Sequence, residues 1–67
     1  MIQIRVNGKE WEADPRSTIT DLLSKAKISP KVCVVEKNGV IIERKRYNEE
    51  KVKPDDRIEI IKMMGGG

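Results

Sequence analysis

The sequence contains no histidine and no phenylalanine, and its only aromatic residues are Trp11 and Tyr47. Without histidine there is no Ser-His or Cys-His couple for nucleophilic catalysis and no imidazole ligand for a metal. Two aromatic residues do not form the stacking platform that binders of single-stranded nucleic acid use. These absences argue against an enzyme, against a metal site and against a nucleic-acid-binding domain.

Cysteine and long apolar runs are equally scarce. The single cysteine, Cys33, excludes an internal disulfide and is typical of a reducing compartment. Because Cys33 lies in an apolar run with no activating neighbour, we interpret it as a core residue. No stretch approaches the roughly 20 apolar residues that span a bilayer, and the N-terminus shows no signal-peptide pattern. We therefore expect a cytoplasmic protein that does not interact with membranes.

The length and charge of the chain indicate one small folded domain. The 67 residues are 37% charged, with a net charge of +3. A domain of this size buries only about 60% of the surface that its unfolded chain exposes, which leaves little space for an enclosed cleft. The apolar residues recur with clear periods, so the chain is predicted to fold, and the net charge is a modest indication of an acidic partner.

Two Asn-Gly pairs, Asn7-Gly8 and Asn38-Gly39, each stand between two short apolar runs. Asn-Gly is the strongest short hairpin signal, because both residues tolerate the positive φ angles of a two-residue turn. The hairpins are predicted to pair residues 2–6 with 9–12, and residues 32–36 with 40–42.

One helix is predicted between the hairpins. Thr18 followed by Asp21 resembles a capping box, in which each residue satisfies a backbone amide of the other. Apolar residues then recur with the spacing of one helical face at Ile19, Leu22, Leu23 and Ala26. Ser29-Pro30 is predicted to end the helix, because proline cannot continue it.

The last third of the chain is polar until a final strand. Tyr47 and Val52 are the predicted anchors of this segment, residues 54–56 form a turn, and the last strand begins near Ile58. The order β-β-α-β-β-β predicts an α+β fold, a mixed four- to five-stranded sheet covered by one main helix. Residues 1–64 would form the domain and residues 65–67 a flexible C-terminal glycine tail.

The last strand carries more apolar residues than one buried face needs. If Ile58 and Ile60 face the helix, Ile61 and Met63 project to the opposite side of the sheet. They would there form either a docking patch beside the tail or a surface that a bulge or loop covers. Met64 is either the last core residue or part of the tail.

The residues that carry a family resemblance are distributed over nearly the whole chain. They are Ile2-x-Ile4-x-Val6-Asn7-Gly8, Thr18-Ile19-x-x-Leu22-Leu23, Val34-Val35-Glu36-x-Asn38-Gly39, Arg44, Asp56-x-Ile58-Glu59-Ile60 and Gly65-Gly66-Gly67. With these residues the chain resembles the ThiS family, the ubiquitin-like β-grasp sulfur carriers of thiamin thiazole synthesis within the ThiS/MoaD superfamily. It departs from the family at Glu43, where proline is common, at Tyr47, where tryptophan is frequent, and at Asp55, which replaces a turn glycine.

The resemblance implies chemistry at the C-terminal carboxylate of Gly67. A ThiF/MoeB-like activating adenylyltransferase would adenylate it with ATP, and a sulfur donor would convert it to a thiocarboxylate. A thiazole synthase (ThiG-like) or another acceptor enzyme would then take the sulfur. Gly65 and Gly66 would give access to a narrow channel. The residues expected to dock on the partners are Ile61, Met63, Met64 and Arg44. The chain would bind no cofactor of its own and would be a cosubstrate rather than an enzyme.

Two alternatives remain open at this point. The same carrier chemistry could serve molybdopterin or tungstopterin, tRNA thiolation, cysteine synthesis, or conjugation to proteins. A different class of function is a ubiquitin-like binding module with an inert tail, which could contact RNA through Arg44-Lys45-Arg46. Because Glu43, Glu49 and Glu50 flank this loop, the sequence favours a solvated loop over a nucleic-acid contact.

Overall fold

The computed structural model describes residues 1–63, so the predicted glycine tail and Met64 lie outside the described part of the chain. The strands are β1 (Ile2–Val6), β2 (Lys9–Ala13), β3 (Cys33–Lys37), β4 (Val40–Ile42) and β5 (Arg57–Lys62); the α-helix is α1 (Ile19–Ala26), and short 3₁₀ helices cover Pro30–Val32 and Arg44–Arg46. The strands form one five-stranded sheet in the order β2-β1-β5-β3-β4. β1 and β5 are parallel and the other pairs are antiparallel. The predicted fold class and element order are confirmed.

Both predicted hairpin turns have the expected backbone. Asn7 and Gly8 have φ angles of 52° and 82°, and Asn38 and Gly39 have φ angles of 53° and 84°. Two successive positive φ angles match the twist of the flanking strands, which is why Asn-Gly forms these turns. The boundary of β3 was predicted one residue too early, because Val32 ends a 3₁₀ turn that begins at Pro30.

The capping box of α1 is confirmed. The Thr18 hydroxyl accepts from the Asp21 amide at 3.3 Å, and the Asp21 carboxylate accepts from the Thr18 amide at 3.0 Å. The prediction that Ser29-Pro30 ends the helix is wrong. The helix ends earlier, at Ala26, because Lys27 has a left-handed φ of 60° and the Ile28 amide donates to the Leu23 carbonyl at 3.0 Å. This is the 6→1 bond of a Schellman motif.

The core lies between α1 and the inner face of the sheet. Its most deeply buried large side chains are Ile4, Ile19, Leu23, Val35 and Ile58. Tyr47 and Val52 are also buried, as predicted for the anchors of the polar segment. Backbone hydrogen bonds join this segment to the start of the helix. The amides of Ile19, Thr20 and Val52 donate to the carbonyls of Glu50, Tyr47 and Ser17, respectively.

The central strand β5 is held by the side chains of both turn asparagines. The Asn7 carboxamide accepts from the Ile60 amide at 2.7 Å and donates to the Ile60 carbonyl at 3.2 Å. Asn38 accepts from the Arg57 amide at 2.9 Å and donates to the Asp56 carboxylate at 2.9 Å. The regular β1–β5 pairing ends at Ile58. Asn7 therefore extends the contact with β5 beyond the end of β1.

Replacing Asn7 by alanine is expected to destabilise the domain by about 2–4 kcal/mol, because two hydrogen bonds are lost and alanine is strained at this positive φ. Urea unfolding followed by circular dichroism measures the loss. Asn7→Gly is the matched control, because it removes the same side chain without the backbone strain. Its free energy of unfolding should be about 1 kcal/mol higher than that of the alanine variant. An alanine variant as stable as the parent chain would contradict the proposed hold on β5.

Candidate functional site

The end of β5 presents apolar side chains on the side of the sheet away from the helix. Ile58 and Ile60 are only 1% and 6% exposed, whereas Ile61 and Met63 are 45% and 52% exposed. This alternation confirms the predicted division of β5 between two faces. Of the two interpretations of Ile61 and Met63, the structure contradicts coverage by a bulge or loop, since no residue among 1–63 buries them.

Neighbouring residues of β3 enlarge this apolar surface. Val34 is the cross-strand partner of Ile61 on the outer face. The carbonyl of Val32 accepts a hydrogen bond from the Met63 amide at 2.8 Å, and Val32 is 46% exposed. We call Val32, Val34, Ile61 and Met63 the outer patch. Sequence reasoning missed the two valines. Their alternation with buried residues was visible in the sequence, but the pairing of β3 with β5 was not.

Arg44 lies at the same end of the sheet as the outer patch. It begins the 3₁₀ helix after β4 and is exposed. Its positive charge acts on the Cys33 thiol, and Cys33 is the cross-strand partner of Lys62 at the end of β5. The structure therefore brings Arg44 close to the end of β5.

Cys33 is a core residue, as predicted, and it occupies the inner face with Val35. The side chain is 2% exposed. Burial raises the pKa of the Cys33 thiol, and the charge of Arg44 only partly opposes this effect. Burial also raises the pKa of the neighbouring Tyr47 phenol, with a smaller contribution from Cys33. A buried thiol that stays protonated is a poor nucleophile, so Cys33 offers no site for sulfur transfer.

The basic loop that begins at Arg44 is tied to the body of the domain through Glu50. The Glu50 carboxylate forms ion pairs with Lys37 and, at 3.5 Å, with Arg46. The hydrogen bond from Lys37 is the largest effect that lowers the pKa of Glu50. Part of the loop's positive charge is thus compensated within the domain, which favours a solvated loop over an RNA-binding surface.

The other predicted site residues, Met64, Gly65, Gly66 and Gly67, lie outside the described residues. The predicted boundary between domain and tail therefore stays a prediction. Within residues 1–63 the α-helix α1 has eight residues, too few to span a bilayer. Nor do the acidic residues and the cysteine in that range form a group that could hold a metal ion.

The chain is similar in sequence and in structure to small proteins of the ThiS family. The sequence matches the ThiS family over residues 4–67. It is 39% identical over 66 residues to the sulfur carrier protein ThiS of Bacillus subtilis strain 168, a match that covers 96% of this chain and 98% of that protein. The crystal structure of the thiamine biosynthesis protein ThiS from Geobacter metallireducens is 35% identical with a TM-score of 0.82, and the alignment covers 98% of this chain and 100% of that one.

A larger protein contains a similar segment. A thiazole synthase of Magnetococcus marinus is 30% identical over 66 residues, a match that covers 98% of this chain and 20% of the synthase. The structural likeness confirms the ubiquitin-like β-grasp fold that the sequence predicted, and the sequence matches confirm the family resemblance.

Proposed function

This chain belongs to the ThiS family and is a sulfur carrier protein of thiamin biosynthesis, and we propose that it holds the sulfur as a thiocarboxylate on the C-terminal carboxylate of Gly67. It is a protein cosubstrate rather than a catalyst. The observation that carries the proposal is the similarity to a sulfur carrier protein over 66 residues. In the sequence, the central strand β5 is followed by Met63, Met64 and three glycines.

The proposed chemistry starts from an unreactive group. An α-carboxyl has an ordinary pKa of about 3.5, so at neutral pH it is ionised and a poor electrophile. Attack of this carboxylate on the α-phosphate of ATP forms an acyl-adenylate and releases pyrophosphate. Sulfide that attacks the carbonyl carbon displaces AMP and leaves the thiocarboxylate directly. When a persulfide attacks instead, AMP leaves and an acyl disulfide forms, and a thiol must then cleave its S–S bond to release the thiocarboxylate and form a disulfide. A ThiF/MoeB-like adenylyltransferase would supply the catalytic groups for these steps, and the cytoplasm would supply ATP and reduced sulfur.

The outer patch and Arg44 are the proposed docking elements for this enzyme. An exposed apolar surface beside the reacting end of the chain can be buried when the partner covers it. Residues 64–67 span at most about 13 Å when fully extended. The sheet end that carries Ile61 and Met63 must therefore lie close to the partner's active site while the carboxylate reacts.

The proposed acceptor is a thiazole synthase of the ThiG type. Its support is the thiazole synthase of Magnetococcus marinus, in which a segment similar to this whole chain is part of the synthase. A carrier-like segment within that synthase favours the thiazole pathway over the other sulfur-transfer pathways and over protein conjugation.

The proposal is tested by intact-mass measurement of the full chain after incubation with ATP, a sulfur donor and its cognate activating enzyme. We expect a mass gain equal to the replacement of one oxygen by sulfur, dependent on ATP and located by fragmentation at Gly67. Omission of ATP is the control. Absence of both adenylate and thiocarboxylate with the cognate enzyme would overturn the proposal.

A further inference from the structure

The turn between β3 and β4 places a side-chain amide next to an unhindered backbone nitrogen. Asn38 is exposed, and a Cβ built on Gly39 would meet no atom within 4 Å, so water reaches the turn. Asparagine is a chemically labile residue. It is most labile before glycine, because no side chain then hinders attack by the next backbone nitrogen. The Asn38-Gly39 turn thus has the composition and the exposure that spontaneous deamidation requires.

The reaction would convert the side-chain amide of Asn38 to a carboxylate. The backbone nitrogen of Gly39 loses its proton and attacks the side-chain carbonyl carbon of Asn38. The bond from this carbon to the side-chain nitrogen breaks, ammonia leaves, and a succinimide ring remains. Water then opens the ring at one of its two carbonyls and gives aspartate or isoaspartate. In sum one water is consumed and one ammonia is released, with no oxidant and no cofactor.

The side-chain nitrogen of Asn38 contacts a buried carboxylate. Nδ2 of Asn38 donates to Oδ1 of Asp56 at 2.9 Å, and Oδ2 of Asp56 accepts from the Lys53 amide at 2.8 Å. Asp56 is 7% exposed. Among residues 1–63 no lysine or arginine nitrogen lies within 4.0 Å of this carboxylate. The carboxamide of Asn38 is therefore the side-chain donor that this charge has in the described part of the chain.

Deamidation would turn this attraction into a repulsion. An oxygen would replace the donor nitrogen opposite Oδ1 of Asp56, and two carboxylates so close together resist being ionised at the same time. Asp56 would also lose a hydrogen bond that water cannot readily replace, because the residue is buried. The bond from the Arg57 amide to Oδ1 of Asn38, at 2.9 Å, would remain, since a carboxylate accepts it equally well.

The other Asn-Gly turn lacks this consequence. Nδ2 of Asn7 donates to the neutral carbonyl of Ile60 at 3.2 Å, and Oδ1 of Asn7 accepts from the Ile60 amide at 2.7 Å. Deamidation of Asn7 would remove the longer of these bonds and keep the shorter one. It would bring no second carboxylate to the contact, so the loss of stability should be smaller.

We propose that Asn38 is a deamidation site at which the change of one side-chain amide to a carboxylate weakens the contact between the β3–β4 turn and the start of β5, and so destabilises the domain. This modification is independent of the sulfur chemistry. It would leave the C-terminal carboxylate intact and lower the stability of the strand that carries Ile61.

Ageing of the full chain in mildly alkaline buffer tests the modification itself, because the attacking nitrogen loses its proton more readily there. We expect a product in which one side-chain NH₂ is replaced by OH, and peptide mapping should locate it at Asn38, whether or not Asn7 is also modified. The product modified at Asn38 should unfold at a lower urea concentration than the unaged chain. An aged chain that stays unmodified at Asn38 would overturn the proposal.

Substitutions test the cause of the destabilisation. Asn38→Asp reproduces one product and should lower the urea midpoint by about 1–2 M. Asn7→Asp adds the same charge at the other turn and should lower it by less than half as much. Asn38→Asp combined with Asp56→Asn should recover most of the loss, because the donor and the acceptor exchange places and the amide oxygen at position 56 still accepts from Lys53. Equal midpoints for the two single variants, or no recovery in the double variant, would contradict the proposed repulsion.

Discussion

Deletion of Gly67 is expected to abolish adenylate and thiocarboxylate formation while leaving the unfolding free energy unchanged. The shortened chain still ends in a glycine carboxylate, but that carboxylate stops about 3.3 Å short of its former position in an extended chain. A displacement of about 1 Å can already reduce a rate about a hundredfold, because the attacking oxygen must meet the α-phosphate in line. Intact mass and pyrophosphate exchange with the cognate activating enzyme measure the loss.

A second variant, Gly67→Ala, distinguishes the effect of moving the carboxylate from the effect of adding a side chain at the last residue. Gly67→Ala keeps the chain length and adds one methyl group, so any activity that it retains shows how much room the partner's channel leaves. Both variants should unfold at the parent urea midpoint. If the chain that ends at Gly66 gained sulfur at the parent rate, the assignment of the chemistry to Gly67 would be wrong.

Replacement of Ile61 by aspartate is expected to raise KM for the activating enzyme about 30-fold or more, the effect of losing a contact worth about 2 kcal/mol at the centre of an interface. The fold should tolerate the change, because Ile61 is 45% exposed and the core side of β5 is formed by Ile58 and Ile60. Pyrophosphate exchange measures KM, and urea unfolding checks stability.

Val40→Asp is the control for this substitution. Val40 is 67% exposed on the edge strand β4 and does not belong to the outer patch. Its replacement by aspartate therefore makes the same change of polarity and charge at a different place. Its KM should stay within about twofold of the parent, as is usual for a surface substitution outside an interface. Equal KM values for the two aspartate variants would argue that the outer patch is not the docking surface.

The position of β5 gives these substitutions a common physical basis. β5 lies between β1 and β3 in the middle of the sheet, and the carboxamides of Asn7 and Asn38 hold its backbone near both ends. A strand held in this way keeps Met63, the last described residue, at a defined place on the body of the domain. Docking through Ile61 can then place the last residues near the partner's active site at a small entropic cost.

Much of this arrangement could be predicted from short-range patterns. The alternation of Ile58, Ile60 and Ile61 correctly predicted which side chains face the core. The Asn-Gly pairs correctly predicted both turns, and the Thr18–Asp21 pair correctly predicted the start of the helix. The end of the helix was predicted wrongly, because a left-handed Lys27 ended it before the proline that the sequence made conspicuous.

The second role of the asparagines could not be predicted in the same way. Asn7 signals a turn through its own backbone preference, but its side chain reaches Ile60, 53 residues along the chain. The contact of Asn38 with Asp56, 18 residues along the chain, likewise arises only when β3 and β5 become neighbours. In the sequence Asp56 is an ordinary residue of a predicted turn.

The sequence by itself determined the elements, the buried face of each and the family whose glycine tail the chain shares. The elements and their buried faces depend on residues within a few positions of one another, whose preferences are local and independent of the rest of the fold. Only the tertiary structure decided that β5 is central, that Val32 and Val34 join Ile61 and Met63, and that a turn asparagine meets a buried carboxylate. Strand order and register depend on contacts between distant parts of the chain, and the residue pattern of one strand does not identify the strand that pairs with it.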